Sequence, residues 1–156
     1  MDDIIDLTEQ QLNAENISRS VILPSCGAVA MFIGTTRDNF DGKKVVKLEY
    51  EAYETMAKKK MKEICQEIRS KWKLGRIAII HRLGEVPITE ASVVIAISSP
   101  HRKEALEAVN EAIYALKAKV PIWKKEIYEN HDSAWKQNQE CAWSNGSKEK
   151  VFIKTS

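Results

Sequence analysis

The residues best equipped for chemistry are the lysines of Leu116–Glu126, LKAKVPIWKKE. Lys117 falls in the last turn of an expected helix. Val120-Pro121 ends that helix, because the proline ring disfavours helical geometry in the residue before it. Ile122-Trp123 follow as an apolar anchor, with Lys124-Lys125-Glu126 directly behind. Lysines on both sides of a rigid turn, beside a tryptophan, make a cationic and partly desolvated pocket. Such a pocket binds an anion, or lowers a lysine pKa toward use as nucleophile or general base. The same residues also fit a plainer reading. A helix ends in lysine to complement its dipole, and the lysine pair is solvated.

A second group opens that helix, at Ser98-Ser99-Pro100-His101-Arg102. Ser99 suits the N-cap and Pro100 the first helical position. Free backbone N–H groups at a helix start attract anions. Arg102 opposes the dipole there, a local cost that a bound anion would offset; an ion pair with a nearby carboxylate would do the same. Arg37 lies in the polar stretch Gly34-Thr35-Thr36-Arg37-Asp38-Asn39 at the end of an expected buried strand, a place from which loop residues reach ligands. The three cysteines, Cys26, Cys65 and Cys141, are odd in number and widely spaced, and His81, His101 and His131 are scattered. Neither pattern makes a disulfide framework or a zinc site, so no metal and no cofactor is expected. There is no phosphate-binding loop, no dinucleotide fingerprint and no G-x-S-x-G elbow.

These groups have to be held by ordinary elements. Leu7–Leu12 reads as a helix start, with Thr8 as N-cap and Gln11 as its capping-box partner. Gly27–Gly34 is a glycine-bounded buried strand, followed by a polar loop over Thr35–Lys44 that turns at Asp41-Gly42. Val46, Leu48, Tyr50 and Ala52 alternate with polar residues as a half-buried strand. Glu54–Trp72 is the clearest helix, with Ala57, Met61, Ile64, Cys65, Ile68 and Trp72 on one stripe. Arg76–Arg82 and Ser92–Ser98 are two further strands joined by a loop containing Gly84 and Pro87. The last helix runs from Pro100 to about Lys119 on a stripe of Leu106, Val109, Ile113 and Leu116, widened by Ala105 and Ala112. The order is a short helix, then β-β-α-β-β-α, then an irregular tail. Paired strands between helices predict an α+β fold, a mixed or antiparallel sheet with helices on one face.

At 156 residues the chain makes one domain with a sizeable core. A net charge of +2 does not argue for nucleic acid, which calls for a strongly basic face. No apolar run approaches the roughly 20 residues that span a bilayer. The acidic start MDDIIDLTEQQ is unlike a signal peptide, so a cytosolic protein is expected. Residues 1–130 read as a single catalytic domain. Residues 131–156 read as a tail that docks on a partner or stays mobile, with Trp135 and Trp143 favouring docking.

In order and spacing, several segments together resemble the large, catalytic subunit of molybdopterin synthase. They are Cys26-Gly27-Ala28-Val29, Phe32-Ile33-Gly34-Thr35-Thr36-Arg37, Leu48-Glu49-Tyr50, Leu74-Gly75-Arg76, His81-Arg82-Leu83-Gly84, Ser99-Pro100-His101-Arg102, and Leu116-Lys117 through Pro121-Ile122-Trp123-Lys124-Lys125-Glu126. The resemblance implies an α/β-hammerhead fold with a small added subdomain. It implies a dimer of large subunits, each carrying a small ubiquitin-like subunit, a heterotetramer. It also implies transfer of sulfur from the small subunit's C-terminal Gly-Gly thiocarboxylate, twice, onto cyclic pyranopterin monophosphate. The family's two central lysines match Lys117 and Lys124. The residues matching Arg37, His101, Arg102, Lys125 and Glu126 line its substrate site. Many bacterial members carry Arg where this chain has Lys125, which would lose a bidentate contact.

Arg102 and Lys117 stand 15 residues apart on one helix, roughly 22 Å at 1.5 Å per residue. A pterin does not bridge that distance, so either the site is long or His101 and Arg102 come from the other protomer of a dimer. Two other functions fit parts of the sequence. One is a binding module whose basic clusters take RNA or an acidic partner. The other is a small phosphate-hydrolysing enzyme using Arg37 and Arg102.

Overall fold

The computed structural model describes residues 3–129 together with the backbone of 133–137 and 151–152. The chain runs β1 (Ile4–Thr8), α1 (Ala14–Ser20), β2 (Ala28–Thr35), β3 (Asn39–Phe40), β4 (Lys43–Ala52), α2 (Glu54–Lys71), β5 (Ile77–Arg82), β6 (Gly84–Pro87), β7 (Ala91–Ser99), α3 (Arg102–Lys119), β8 (Ile122–Tyr128), β9 (Ser133–Gln137) and β10 (Val151–Phe152). Helices and mixed strand pairing agree with the fold class expected from the sequence, except that the strands form two sheets and helices cover both faces of one of them, because its central strands are apolar on both sides.

The apolar runs of β5 and β7 are buried on both faces, so neither shows period-2 alternation. They pair antiparallel at the centre of a four-stranded sheet of order β1-β5-β7-β2. Ile77, Ile79, Ile95 and Ile97 pack on one face with Met61, Ile64 and Ile68 of α2 and Ala105 and Ala108 of α3. The intervening Ala78 and Ala96 meet Val21 and Ile17 on the other face, so α1 covers the side that α2 and α3 leave open. Cys65 is in the main core, and burial pushes its thiol up to about 12, which makes it inert.

A second sheet has the order β10-β9-β8-β4-β3, with β6 also pairing to β4. Asp41 and Gly42, both at positive φ (49° and 76°), form the two-residue turn of the β3–β4 hairpin. Gly75 lets the α2–β5 connection pass close to its neighbours; a Cβ there would collide with Ser98 Oγ and Cys26 Sγ. No described helix is long and apolar enough to cross a membrane.

Five local expectations are corrected. Leu7–Leu12 does not begin a helix. Residues through Thr8 form β1, parallel to β5, because Asp3 is held by Arg69 of α2 (Nε to Oδ2, 3.1 Å) and Leu7 gains burial beside the core. Thr8 Oγ1 does accept from a backbone N–H, that of Gln10 at 3.1 Å, but α1 is capped by Asn13 Oδ1 accepting from Asn16 N at 3.0 Å. In β4 a bulge between Val45 and Lys47 turns Val45 inward and leaves Val46 45% exposed. The loop containing Gly84 and Pro87 includes a strand, β6. Helix α3 starts later than expected: His101 takes the N-cap position without a side-chain cap bond, and Ser99 Oγ donates to the His101 carbonyl. Its buried stripe is narrow and alanine-rich, with Ala108 and Ala115 inside and Leu106 exposed.

Residues 131–156 contain β9, antiparallel to β8, and β10, parallel to β9. Trp135 stands opposite Lys125 in that register. His131, Cys141 and Trp143 lie outside the described residues.

Candidate active site

Proline at the end of α3 does more than stop a helix. It leads directly into a strand, a position a proline tolerates because it is followed rather than interrupted by ladder bonds. The Pro121 carbonyl accepts from Tyr53 N at 3.2 Å, which ties this corner to the start of α2. The lysines after it are therefore on β8, not in a loop. Strand alternation then sorts them. Ile122, Lys124, Glu126 and Tyr128 face inward, whereas Trp123, Lys125 and Ile127 are half-buried on the other face.

The inward face is the unusual one. Lys124 is 5% exposed and Glu126 1%. Lysine and glutamate reach such burial almost only as partners, and here Lys124 Nζ stands 3.9 Å from Glu126 Oε1. Tyr128 OH donates to the other carboxylate oxygen, Glu126 Oε2. Across the ladder, Tyr50 of β4 is opposite Lys124, Leu48 opposite Glu126 and Val45 opposite Tyr128. Burial pushes the Tyr50 phenol up to about 12 against the pull of a Ser92 hydrogen bond, and the Glu126 charge adds to the rise. The Tyr50 ring meets His81 edge-on, with centroids 4.9 Å apart. Burial pushes His81 down to about 4, although Nδ1–H donates to the Arg82 carbonyl at 2.7 Å. At neutral pH both rings are uncharged. Desolvation and the Glu126 carboxylate together keep the Tyr128 phenol protonated as well.

Above this ladder the loop after β2 brings Arg37 to the mouth of a small pocket of about 20 Å³, whose walls include Asn39, Phe40, Leu48, Lys124 and Glu126. Arg37 is exposed and Lys124 is buried beneath it. An anion entering here meets a guanidinium first and an ammonium in a water-poor floor second, where charge interactions are strongest. A roomier depression of about 260 Å³ lies on the far side of Tyr128 between Lys43, Lys44 and Glu129, but Lys44 is matched there by Glu129 at 3.6 Å. The smaller pocket is the better candidate on chemical grounds.

Of the residues singled out in the sequence, the structure brings together Arg37, Lys124 and Glu126. Lys117 is half-buried in the last turn of α3, one helix exit upstream of Lys124. Lys125 sits across the strand from that pocket, opposite Glu49 of β4. His101 and Arg102 are exposed at the start of α3, the far end of the same continuous helix from Lys117. Within one chain they do not join the pocket. Tyr128, Tyr50 and Asn39 were not legible as site residues. For Tyr128 a signal existed, its parity with Lys124 and Glu126, but it means nothing until the segment is known to be a strand.

Comparison with known proteins identifies the family. The model of the MoaE protein family matches residues 7–119. A molybdopterin synthase catalytic subunit from Taeniopygia guttata is 59% identical over 147 residues, 94% of this chain and 94% of that protein. Among solved structures, molybdopterin synthase from Staphylococcus aureus is similar at a TM-score of 0.78 and 42% identity, covering 83% of this chain and 93% of that one. A complex of subunits 1 and 2 of molybdopterin-converting factor from Helicobacter pylori shares the fold at a TM-score of 0.68 and 22% identity, covering 81% and 86%. This chain belongs to the MoaE family, the catalytic subunits of molybdopterin synthase.

Proposed function

We propose that the Arg37–Lys124–Glu126 pocket is where this chain performs the sulfur transfer of its family, and that Lys117 and Lys124 are the groups that act. As a molybdopterin synthase catalytic subunit the chain moves sulfur from the C-terminal thiocarboxylate of a small ubiquitin-like subunit onto cyclic pyranopterin monophosphate, forming the dithiolene of molybdopterin. The observation that carries the residue assignment is Lys124 itself, a lysine 5% exposed at the floor of a pocket whose mouth holds an arginine. Both reactants are anionic. The transfer also develops negative charge on the thiocarboxylate's carbonyl oxygen, and a fixed ammonium aimed there lowers the barrier. Lys117 holds the thiocarboxylate end. Lys124 moves a proton or captures the pterin covalently. Arg37 and Glu126 line the pterin pocket, and His101 and Arg102 grip the phosphate. The cytosol, where thiols stay reduced, is the compartment that suits this chemistry.

His101 and Arg102 reach the pocket in this reading through a dimer. Among the described residues, β2 is the terminal strand of its sheet, and its apolar residues Val29 and Ile33 are exposed. An uncharged, unprotected edge of this kind invites a second strand. The start of β2 is fastened to the α3 start by Gly27 N donating to the Pro100 carbonyl at 3.2 Å, and its end runs into Arg37. Antiparallel pairing of two copies of β2 about Met31 sets the start of one beside the end of the other. His101 and Arg102 of one protomer then stand near Arg37 of the partner subunit. Two anion-binding halves thereby become one site, with a small subunit on each protomer.

The test is turnover by this chain mixed with a thiocarboxylated small subunit and cyclic pyranopterin monophosphate, read as molybdopterin formed. Lys117→Ala and Lys124→Ala should each abolish product while the chain stays folded by circular dichroism, with Lys124→Ala losing some stability because Glu126 is left buried without its lysine. Near-normal turnover in both would sink the assignment. Mixing Lys117→Ala chains with Arg102→Ala chains should restore about a quarter of wild-type activity, the share of intact shared sites in randomly mixed dimers. No restoration would remove the shared site.

A further inference from the structure

Strand β8 carries a ladder that the transfer chemistry above does not use in full. Positions 124, 126 and 128 are two residues apart on one face, so their side chains stand in a row. A glutamate side chain has three rotatable bonds, and its two oxygens can be presented in many ways. Here Oε2 is taken by the Tyr128 hydroxyl, which leaves Oε1 turned to Lys124 at 3.9 Å. Tyr128 in turn has little freedom. It is 6% exposed, Val45 lies opposite it in the ladder at 2% exposure, and the Lys43 ammonium sits 5.4 Å from its ring centroid.

We propose that Tyr128 is a positioning residue of the reaction. It fixes the Glu126 carboxylate, and Glu126 in turn fixes the place and charge state of the Lys124 ammonium. This rests on the assignment of Lys124 to the chemistry, and it changes the part given to Glu126: the carboxylate is an internal counter-ion for the lysine rather than a grip on the substrate. The physical need is plain. A lone ammonium in so dry a place gives up its proton and swings freely, and a lone carboxylate there takes one up. A hydroxyl donated to one oxygen holds the carboxylate in place with its other oxygen toward Lys124.

Several other ionisable groups surround the ladder and stay constant across the variants. Arg37 enters from the loop after β2, and Tyr50 from β4. Lys136 stands opposite Lys124 in the β8–β9 register. Lys43 and Asp41 act on Tyr128 from the β3–β4 hairpin.

The experiment compares wild type, Tyr128→Phe and Glu126→Gln, both variants preserving side-chain volume. Each is assayed in the full enzyme with its small subunit for the pH profile of kcat. Each is also reductively methylated with ¹³C so that Lys124, assigned by a Lys124→Arg control, is titrated by NMR without turnover. Removing a carboxylate from beside an ammonium makes the lysine release its proton more easily, so in Glu126→Gln the Lys124 titration should move down by about one pH unit or more. In Tyr128→Phe it should move the same way by less, and kcat should fall about tenfold, the loss of one aligned hydrogen bond, with KM unchanged. A Tyr128→Phe titration that superimposes on wild type, or moves to higher pH, overturns the proposal, and so does a fall in kcat that only follows the folded fraction. Normal turnover by Lys124→Ala defeats the underlying assignment instead, and the NMR titration still decides whether Tyr128 and Glu126 set the lysine.

Discussion

Strands β7 and β8 are both closed off from solvent on their inward faces, yet they are built from opposite materials. β7 contains no charged residue, and its polar atoms are satisfied locally: Ser92 Oγ donates to the Gly34 carbonyl at 3.3 Å, and Ser98 Oγ accepts from Arg76 N at 2.9 Å. β8 turns Lys124, Glu126 and Tyr128 inward on the same face. Burying a lysine and a glutamate gains little stability even when they are paired, since desolvation cancels most of the attraction. A fold assembled for stability alone would have made both strands like β7. The difference is what singles out β8 for the proposed chemistry, and the pocket with Arg37 lies against it.

The comparison is broken most severely by giving β7 what β8 has. Ile95 is fully buried with no partner for a charge, so Ile95→Lys should cost more than about 5 kcal/mol and leave no cooperative melt by circular dichroism. A folded variant would show that this core tolerates charge without a built partner. The reverse exchange removes the ion pair from β8. Lys124→Met combined with Glu126→Gln should lower turnover by about a thousandfold. Its stability should be unchanged or up to about 4 kcal/mol greater, because isosteric neutral side chains escape the desolvation cost. A loss of stability would mean that the pair holds the sheet together. The mildest test concerns His81, which pairs with Val93 of β7 at the margin between the two regions. Its folded value of about 4 lies below the ordinary 6.5. As pH falls from 6.5 the unfolded chain takes up a proton that the folded chain refuses, so stability should drop until about pH 4 and then level off. The full drop from this group is roughly 3 kcal/mol. Urea melts from pH 7 to pH 4 should show it, and His81→Gln should flatten the curve over that window.

Where an apolar stripe or an unbroken apolar run coincides with burial, as in α2, β5 and β7, the expected and observed elements agree. The disagreements share a cause. Leu7–Leu12 looks like a helix start because Thr8 and Gln11 have cap chemistry, but Leu7 and Thr8 end a strand instead, and docking of β1 beside β5 decides it. The bulge in β4 exchanges Val45 for Val46 as the buried residue, and a period of two cannot foresee an extra residue. The sequence of β8 looks like a turn with a lysine cluster because its inward positions hold Lys and Glu, which hide the alternation that announces a half-buried strand.

The chain order of the candidate site residues, the helix that carries Lys117 and Arg102, and membership of the family were all determined by the sequence, because helical stripes and short motifs are local. Which lysine faces the pocket was not. Strand pairing between β4 and β8 sent Lys124 inward and Lys125 outward, and placed Tyr128 against Glu126. Those decisions depend on register between segments some 75 residues apart, and only the tertiary structure supplies that register.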